Sequence, residues 1–486
     1  MGDQSIGCTP EEAISVIGFG KFQGLILVFA GLGWISEAME MMILSFVGVA
    51  VQSEWGLSPA EESLITSVVF AGMLVGCSFW GIISDAYGRR KAFIGTMIVV
   101  AVAGICSSLS PSYKLFLVSR CMLGFGVGGG QVFAAWFMEF IPTANRGVWV
   151  IALTSFWSLG SVLEALLAWI IMPRFGWRWL IGLSCLPSFI VLLLSGIAPE
   201  SPRYLCVKGK MEEAQKILAK AAAMNKTILP PGMLILDRTA KIDEHYPLLD
   251  TSLLSSARER KCSPENYLSS LFMIFSSKLR KTTLLLWFLY FSNTFSYYGI
   301  VLLTSELSSN QINCSSSTVN FLKSAKDASL YRDVFITSLA DLAGLVISAA
   351  ILDRLGRKLT MKILCSLGFI LLLPLVVHQN EILTTALLFG SRMFVMSSSN
   401  AVVIYSREVY PTSVRATGVG SATSIGRIGG MICPLVAVGL VRDCHQTAAI
   451  VLFEAVILLT GFCMLFLPIE TGGKGLSDTT SLLNEE

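Results

Sequence analysis

The chain has 486 residues, of which 53% are hydrophobic and only 14% are charged. A soluble domain carries about 25% Asp, Glu, Lys and Arg, so this chain lacks the polar material to cover a water-facing surface. A soluble enzyme, a nucleic-acid binder and a disordered protein are excluded. The 36 basic and 33 acidic residues leave a net charge of +3, too small for a whole-molecule field; what matters is where the charges sit.

Residues 1–20 contain no apolar core and no basic start, so they do not read as a cleaved signal peptide. The first hydrophobic segment must itself address the membrane. A helix crosses a hydrocarbon core of about 30 Å with about 20 mostly apolar residues. Twelve stretches meet that requirement: 22–46, 62–84, 92–110, 114–138, 147–171, 177–197, 283–304, 333–352, 360–377, 383–406, 416–440 and 447–467. The sequence therefore predicts an all-α membrane protein.

Basic residues gather in alternate loops. Arg89, Arg90 and Lys91 lie between spans 2 and 3, and Arg354, Arg357 and Lys358 between spans 8 and 9. The loop between spans 1 and 2 holds Glu54, Glu61 and Glu62 with no basic residue. Arg174 and Arg178 after span 5, and Lys323, Lys326 and Arg332 before span 8, run mildly against this pattern. The balance places both termini in the cytosol, as an even number of spans requires.

Segment 199–281 carries fourteen Lys and Arg and separates spans 1–6 from spans 7–12. Within it Met211–Met224 has the apolar spacing of a short amphipathic helix, and the rest, with Pro230 and Pro231, reads as a linker. The expected organisation is a first six-helix half over 1–198, a cytosolic linker over 199–281, a second half over 282–468 and a cytosolic tail over 469–486. Most of the twelve cysteines, such as Cys77, Cys185 and Cys433, sit in apolar runs as small hydrophobes. Only Cys314 and Cys444 fall in segments predicted outside the cytosol, where they are either free or bridged. Asn313-Cys314-Ser315 is a glycosylation sequon on that outer side; Asn225-Lys226-Thr227 would be cytosolic and inert.

The two halves echo one another. Gly81-Ile-Ile-Ser-Asp85-Ala-Tyr-Gly88-Arg89-Arg90 returns as Asp353-Arg354-Leu-Gly356-Arg357-Lys358, 268 residues later. Glu139-Phe-Ile-Pro142-Thr143 with Arg146 returns as Glu408-Val-Tyr-Pro411-Thr412 with Arg415, and Pro199-Glu200-Ser-Pro202-Arg203 as Pro468-Ile-Glu470-Thr471, at offsets of 269 and 270. Parallel six-helix repeats place a substrate site between them near the bilayer midplane.

The loop motif resembles the G-x-L-x-D-x-x-G-R-R/K signature of the major facilitator superfamily, and the resemblance covers the whole chain. Arg120-Cys-Met-Leu-Gly124-Phe-Gly126 is similar to that superfamily's span 4 pattern, and the P-E-S-P-R run narrows the likeness to sugar porters, organic-ion transporters and synaptic-vesicle-2-related proteins. Gly18-Phe-Gly-Lys-Phe22, Trp34-Ile-Ser-Glu37-Ala-Met-Glu40 and Gly176-Trp-Arg-Trp-Leu180 resemble the NiaP-type nicotinate transporters of plants, a group also labelled organic cation/carnitine transporters. The second-half signature departs from the pattern at Ala350 and at Gly472-Gly473. The resemblance implies a major facilitator fold with twelve transmembrane helices in two six-helix halves, working as a transporter without a cofactor.

An ionised side chain at the centre of a span costs about 2.5–3.5 kcal/mol on insertion scales and needs a partner or a water-filled cavity. The candidates are Glu37, Glu40, Arg120, Glu164, Asp341, Arg392, Arg427 and Glu454. Glu37 and Glu40, three apart on span 1, share a face. The resemblance to sugar porters implies that a span 1 acid and the span 4 Arg120 form a proton switch; a static ion pair is the alternative. Arg427, between glycines in span 11, is suited to grip a carboxylate with two parallel hydrogen bonds, and an arginine there implies, from the organic-ion branch, an anionic substrate. Helix packing by Arg427 is the alternative. Flat partners for an aromatic substrate are sought among Trp34, Trp157, Trp287, Phe291, Tyr297 and Tyr298, with Asn293 one turn before Tyr297, although aromatic side chains also anchor at membrane interfaces.

The cytosolic motif residues Asp85, Arg89, Glu139, Arg146, Glu200 and Arg203, with Asp353, Arg357, Glu408 and Arg415, read as a gate of ion pairs between the halves. Orientation of the loops alone would need the same charges. The leading expectation is a proton-coupled or facilitative carrier of nicotinate or a related small aromatic carboxylate, acting as a monomer, with the small-molecule substrate, protons and membrane lipids as its partners. An organic cation, carnitine or sugar-type carrier is the runner-up, and a transport-inactive nutrient sensor the reading from another class. Only three His and no metal-ligand cluster or phosphate loop argue against an enzyme. The dileucine-like runs ending at Leu249 and Leu483 suit a vacuolar or endosomal address, with the plasma membrane slightly favoured.

Overall fold

The computed structural model describes residues 8–142, 146–229, 274–276, 279–310, 323–377, 379–410, 414–442 and 446–471. Asn313, Cys314, Cys444, both dileucine-like runs and the side chains of Arg146 and Asp353 lie outside the described residues.

A short helix α1 (Pro10–Ile17) opens the described chain, closed at its start by a Thr9–Glu12 capping box. The first span is split into α2 (Lys21–Met42) and α3 (Leu44–Trp55), and Gly56 ends it in the left-handed region at φ 65°. α4 (Pro59–Tyr87) starts from a Ser58–Glu61 capping box with Pro59 in its first turn. α5 (Arg89–Ser108) follows Gly88. The fourth span breaks at Gly128-Gly129 into α6 (Tyr113–Val127) and α7 (Gly130–Met138). α8 (Arg146–Phe175) is the fifth span, and the sixth breaks before Pro187 into α9 (Trp177–Ser184) and α10 (Leu186–Leu193). The segment between the halves begins with α11 (Pro202–Val207) and the amphipathic α12 (Met211–Asn225), which packs on α1 and α2. The second half comprises α13 (Arg280–Asn310), α14 (Lys323–Leu355), α15 (Arg357–Leu372) with a 3-10 turn at Leu373–Val376, α16 (Glu381–Val409), α17 (Arg415–Arg442) and α18 (Gln446–Leu465).

Ten of these segments are long and apolar enough to cross a membrane. The other two expected spans are the shorter Trp177–Leu193 unit, α9–α10, and α13. The chain is thus an integral multi-pass membrane protein.

Close helix approach is written in glycine. An added Cβ at Gly72 or Gly76 of α4 would meet the backbone of Cys121 or Phe125, and one at Gly124 of α6 would meet the backbone of Val69. Two four-residue glycine spacings, 72–76 and 124–128, therefore let α4 and α6 touch backbone to backbone. α17 does the same on α13, where Gly429 abuts the Phe291 carbonyl.

The repeated loop motif also has a physical reason. Gly88 and Gly356, 268 residues apart, adopt φ of 112° and 81°, where a side chain would be strained. Each turn exposes the first amides of the next helix to a carboxylate. Glu200 accepts from the Arg90 amide at 3.1 Å, and Glu470 accepts from the amides of Arg357 and Lys358 at 2.8 and 2.9 Å. Negative charge at a helix N-terminus is favourable, so the acids of the two P-E-type runs clamp α5 and α15.

The halves meet along α4 with α17 and α8 with α14. Ser63 and Ser67 of α4 donate to the carbonyls of Pro434 and Met431 at 3.2 and 2.8 Å, beside the helix-interrupting Pro434. Phe46 meets Tyr331 and Trp169 meets Phe335 with ring centroids 5.9 and 5.8 Å apart. These contacts lie at the far end of the bundle, opposite the end that carries residues 8 and 471. At the near end, the bonds seen among the described side chains of the expected gate run within each half. Arg89 bonds Asp85 and, at 3.1 Å, Glu139; Arg357 bonds Glu408 at 3.1 Å; Arg203 reaches Glu11 at 3.3 Å; Arg415 donates to the Tyr410 carbonyl at 3.2 Å. With the halves joined at the far end, these helix-end charges bond the neighbours they have in their own half.

Candidate functional site

Three charged clusters occupy the middle of the bundle. In the first, Arg427 Nη2 of α17 stands 3.9 Å from Glu37 Oε1 of α2, across the divide between halves. Cys77 of α4 and Tyr298 of α13 lie beside the same guanidinium. Arg427 Nε is buried with no hydrogen-bond partner. Gly130, at the start of α7, lets the Glu37 carboxyl pass where a Cβ would collide with it. The glycines flanking Arg427 serve helix packing, Gly426 and Gly429 against α13 and Gly430 against Phe70 of α4. They fix which way Arg427 faces.

Tyr298 lies beside both charges, and Trp34 stands one turn before Glu37 on α2. Trp34 and Trp157 meet edge to face at 6.0 Å, and the Trp34 indole N–H has no partner. Tyr298 stacks edge-on against Phe70 at 4.8 Å and Tyr297 at 5.1 Å. Cys77 sits in an apolar run, where neither residue type nor spacing marks it as a site residue.

In the second cluster Arg120 Nη1 donates to Glu40 Oε2 at 3.1 Å, with both side chains fully buried. Cys185 Sγ lies 3.5 Å from Glu40 Oε1, and Ser184 donates to Glu164 Oε2 at 2.8 Å. Glu37 and Glu40, expected to work together on one face, thus serve different partners: Glu40 takes Arg120 inside the first half, and Glu37 faces Arg427 between halves.

The third cluster lies in the second half. Arg392 grips Asp341 with two bonds, Nε to Oδ1 at 3.0 Å and Nη2 to Oδ2 at 2.6 Å, and Tyr297 donates to Oδ2 at 2.9 Å. Tyr297, expected at the substrate, has its hydroxyl committed to Asp341. Asn293 also departs from expectation. It turns into the second half, where it lines a small cavity with Ser296, Cys365, Ser398 and Thr460. Its amide nitrogen and the hydroxyls of Ser296 and Ser398 have no hydrogen-bond partner, the polar lining that suits a buried water. Glu454 stands apart in α18, with Oε1 unpartnered. Among the described residues no group of three His, Cys, Asp or Glu could hold a metal ion.

At the far end Glu54 accepts from both terminal nitrogens of Arg178, at 2.9 and 2.7 Å, and from the Trp177 indole at 2.7 Å. The Arg178 hydrogen bonds hold its carboxyl below the usual carboxylate range, against a smaller opposing effect of burial. This fastens the end of α3 to the start of α9.

Comparison with known proteins accords with this architecture. The family described as "Sugar (and other) transporter" matches residues 32–483. The chain is 49% identical over 496 residues to "Organic cation/carnitine transporter 7" of Arabidopsis thaliana, covering 100% of this chain and 99% of that protein. It is 38% identical to "Synaptic vesicle 2-related protein" of Xenopus laevis, covering 97% of this chain and 82% of that protein. Among solved structures, the inward-open xylose transporter XylE from E. coli superposes with a TM-score of 0.68 at 17% identity, over 95% of this chain and 99% of that one. These relatives include transporters of small molecules and no enzyme. The chain belongs to the sugar (and other) transporter family of the major facilitator superfamily, and it is a membrane transporter.

Proposed function

We propose that the protein carries nicotinate or a related small aromatic carboxylate by alternating access, together with a proton. The observation that carries this reading is the Glu37–Arg427 contact between halves. At 3.9 Å it is long for an ion pair, and Arg427 Nε has no acceptor. A substrate carboxylate offers what Glu37 supplies incompletely, two oxygens for a planar fork. A proton on Glu37 would release Arg427 to the substrate; loss of that proton would restore the Glu37 pair and expel the substrate. Trp34, Trp157 and Tyr298 would flank the substrate ring. With the near end cytosolic and the halves joined at the far end, this arrangement corresponds to the cytosol-facing state. The plasma membrane is the favoured site, and the fold needs no second copy.

The test is uptake of radiolabelled nicotinate into proteoliposomes with and without an inward proton gradient. Wild type takes up nicotinate faster with the gradient, R427A loses uptake, and E37Q loses the gradient response. Intact uptake by R427A refutes the carboxylate role. A transport-inactive sensor would bind without flux.

The 49% identity to a protein named for organic cations and carnitine favours a second reading. A carnitine-type zwitterion would set its carboxylate on Arg427 and its ammonium on Glu37, with Trp34 and Trp157 able to receive the cation on their faces. Competition by carnitine, choline and nicotinate separates the readings, since choline lacks the carboxylate and nicotinate the quaternary ammonium.

A further inference from the structure

The Glu40–Arg120 cluster contains one more acid than its base can neutralise. Glu40, Arg120 and Glu164 are each 0% exposed. Glu164 accepts from Ser184 alone, and its Oε1 has no partner. Arg120 spends Nη1 on Glu40, while its Nε and Nη2 have no acceptor. An unsatisfied carboxyl oxygen and two unsatisfied guanidinium nitrogens therefore share one sealed site. Ser184 and Cys185, adjacent at the break between α9 and α10, touch the two carboxyls in turn, Glu164 and Glu40.

We propose that Glu164 and Glu40 share a single proton, with Arg120 as counter-ion to whichever of the two is ionised. The proposal rests on the proton-coupled reading above and names a second residue for it. Two buried carboxylates beside one guanidinium would leave an uncompensated charge, which a sealed site does not sustain. The bonding seen here, with Arg120 on Glu40 and only a serine hydroxyl on Glu164, corresponds in this scheme to the proton on Glu164 and the charge on Glu40. In the alternative, the proton leaves the Glu164 carboxyl and the Glu40 carboxylate takes it. Arg120 stays protonated and turns its free N–H groups to Glu164. The cluster's net charge is the same before and after, so the transfer places no new charge in the membrane.

The charged groups acting on Glu164 are Glu40 of α2 and Arg120 of α6, and the thiol of Cys185 is the titratable group on the sixth span. The facing helix α14 commits its Asp341 to Arg392. Glu164 rides on α8, which also carries Trp157 and packs against α14 of the other half. The proton's position therefore selects whether α8 or α2 is tied to Arg120, and α8 is one of the helices along which the halves meet.

Infrared difference spectroscopy of the full-length protein in lipid tests this without any substrate. At neutral pH the wild-type spectrum contains a carbonyl-stretch component of a protonated, buried carboxyl that E164Q lacks. The discriminating variant is E40Q, which removes the competitor: Glu164 then ionises against Arg120, and the same component disappears. An E164Q spectrum that loses nothing in this band, or an E40Q spectrum that retains the component lost in E164Q, overturns the proposal, because a merely structural Glu164 keeps its proton when Glu40 is neutralised. Should E164Q fail to fold, E164D shifts the component and E40Q still removes it. Nicotinate uptake by the wild type is a separate measurement, so failure of the substrate reading leaves the infrared result decisive for Glu164.

Discussion

Cutting the Asp341–Arg392 pair should cost more than any other single change in the second half. Both side chains are fully buried, and the guanidinium holds the carboxylate at 2.6 and 3.0 Å. With an effective dielectric of about 20, charges about 2.8 Å apart attract by about 6 kcal/mol, much of which offsets their desolvation. Removing one partner strands the other, at about 3–5 kcal/mol. In D341N, Arg392 keeps the neutral amide oxygen of the new side chain, Tyr297 Oη at 3.4 Å and the Met42 sulfur at 3.9 Å, but no carboxylate balances its charge, and its Nη1 is already without a partner. Large membrane proteins lose their fold irreversibly, so the useful readout is a rate. If the pair is broken in the unfolding transition state, inactivation at fixed temperature accelerates by about 10²- to 10³-fold, at about 1.4 kcal/mol per decade. R392M behaves similarly. The double variant D341N/R392M removes both charges and should recover most of the lost half-life. Single variants with wild-type half-lives, or a double variant whose loss is the sum of the singles, would refute the coupling.

Other expectations follow from the same contacts. G72A or G124A presses a methyl against the facing helix backbone and should cost about 1–3 kcal/mol, more than the gain of about 1 kcal/mol in helix propensity. G24A, with nothing near the added Cβ, should instead raise the melting temperature, and equal behaviour of the two classes in a thermal-shift assay would contradict the close approach. For Glu54 the folded carboxyl titrates below its ordinary value of 4.5, so its contribution to stability is present above that pH and is lost as pH falls through the depressed value. E54Q should therefore melt below wild type at pH 7, and the gap should narrow as pH falls below 4.5; a gap independent of pH would exclude the charge as its cause. E200Q and E470Q each weaken a carboxylate at a helix start and should destabilise by about 0.5–2 kcal/mol, measured by the same thermal assay. Unchanged melting would assign these acids to loop orientation alone.

Depth was legible in the sequence, whereas direction around each helix was only partly so. Hydropathy and basic loops locate the spans because burial in lipid imposes a length and a composition. The 268-residue echo finds its cause in Gly88 and Gly356, whose positive φ admits little else. Spacing misleads for Glu37 and Glu40, since three residues on a helix of 3.6 per turn leave two side chains about 60° apart. That angle sends one to Arg427 and the other to Arg120. Asn293 misleads similarly: it sits on a span that reaches the divide, but on the face turned to α15 and α18. The near-end charges were found as motifs, but which of them bond depends on how the halves are tilted, and no single-chain pattern encodes one tilt.

The repeat also shows where the halves stop being equivalent. Arg120 and Arg392 lie 272 residues apart, close to the spacing of the loop motifs, on the corresponding fourth helix of each half. Their surroundings differ in one count. Arg392 meets one carboxylate in a two-bond fork with a tyrosine hydroxyl on the same acid, so its site has little use for another proton. Arg120 meets one carboxylate through one bond and has a second within its cluster. A site with two acids and one base must hold a proton, whereas a site with one of each need not. Any proton coupling this transporter has is therefore expected from the first half. The second half supplies Arg427, a guanidinium whose partner lies across the divide. Glu37 joins those two functions, because it is the first-half acid that the second-half arginine faces.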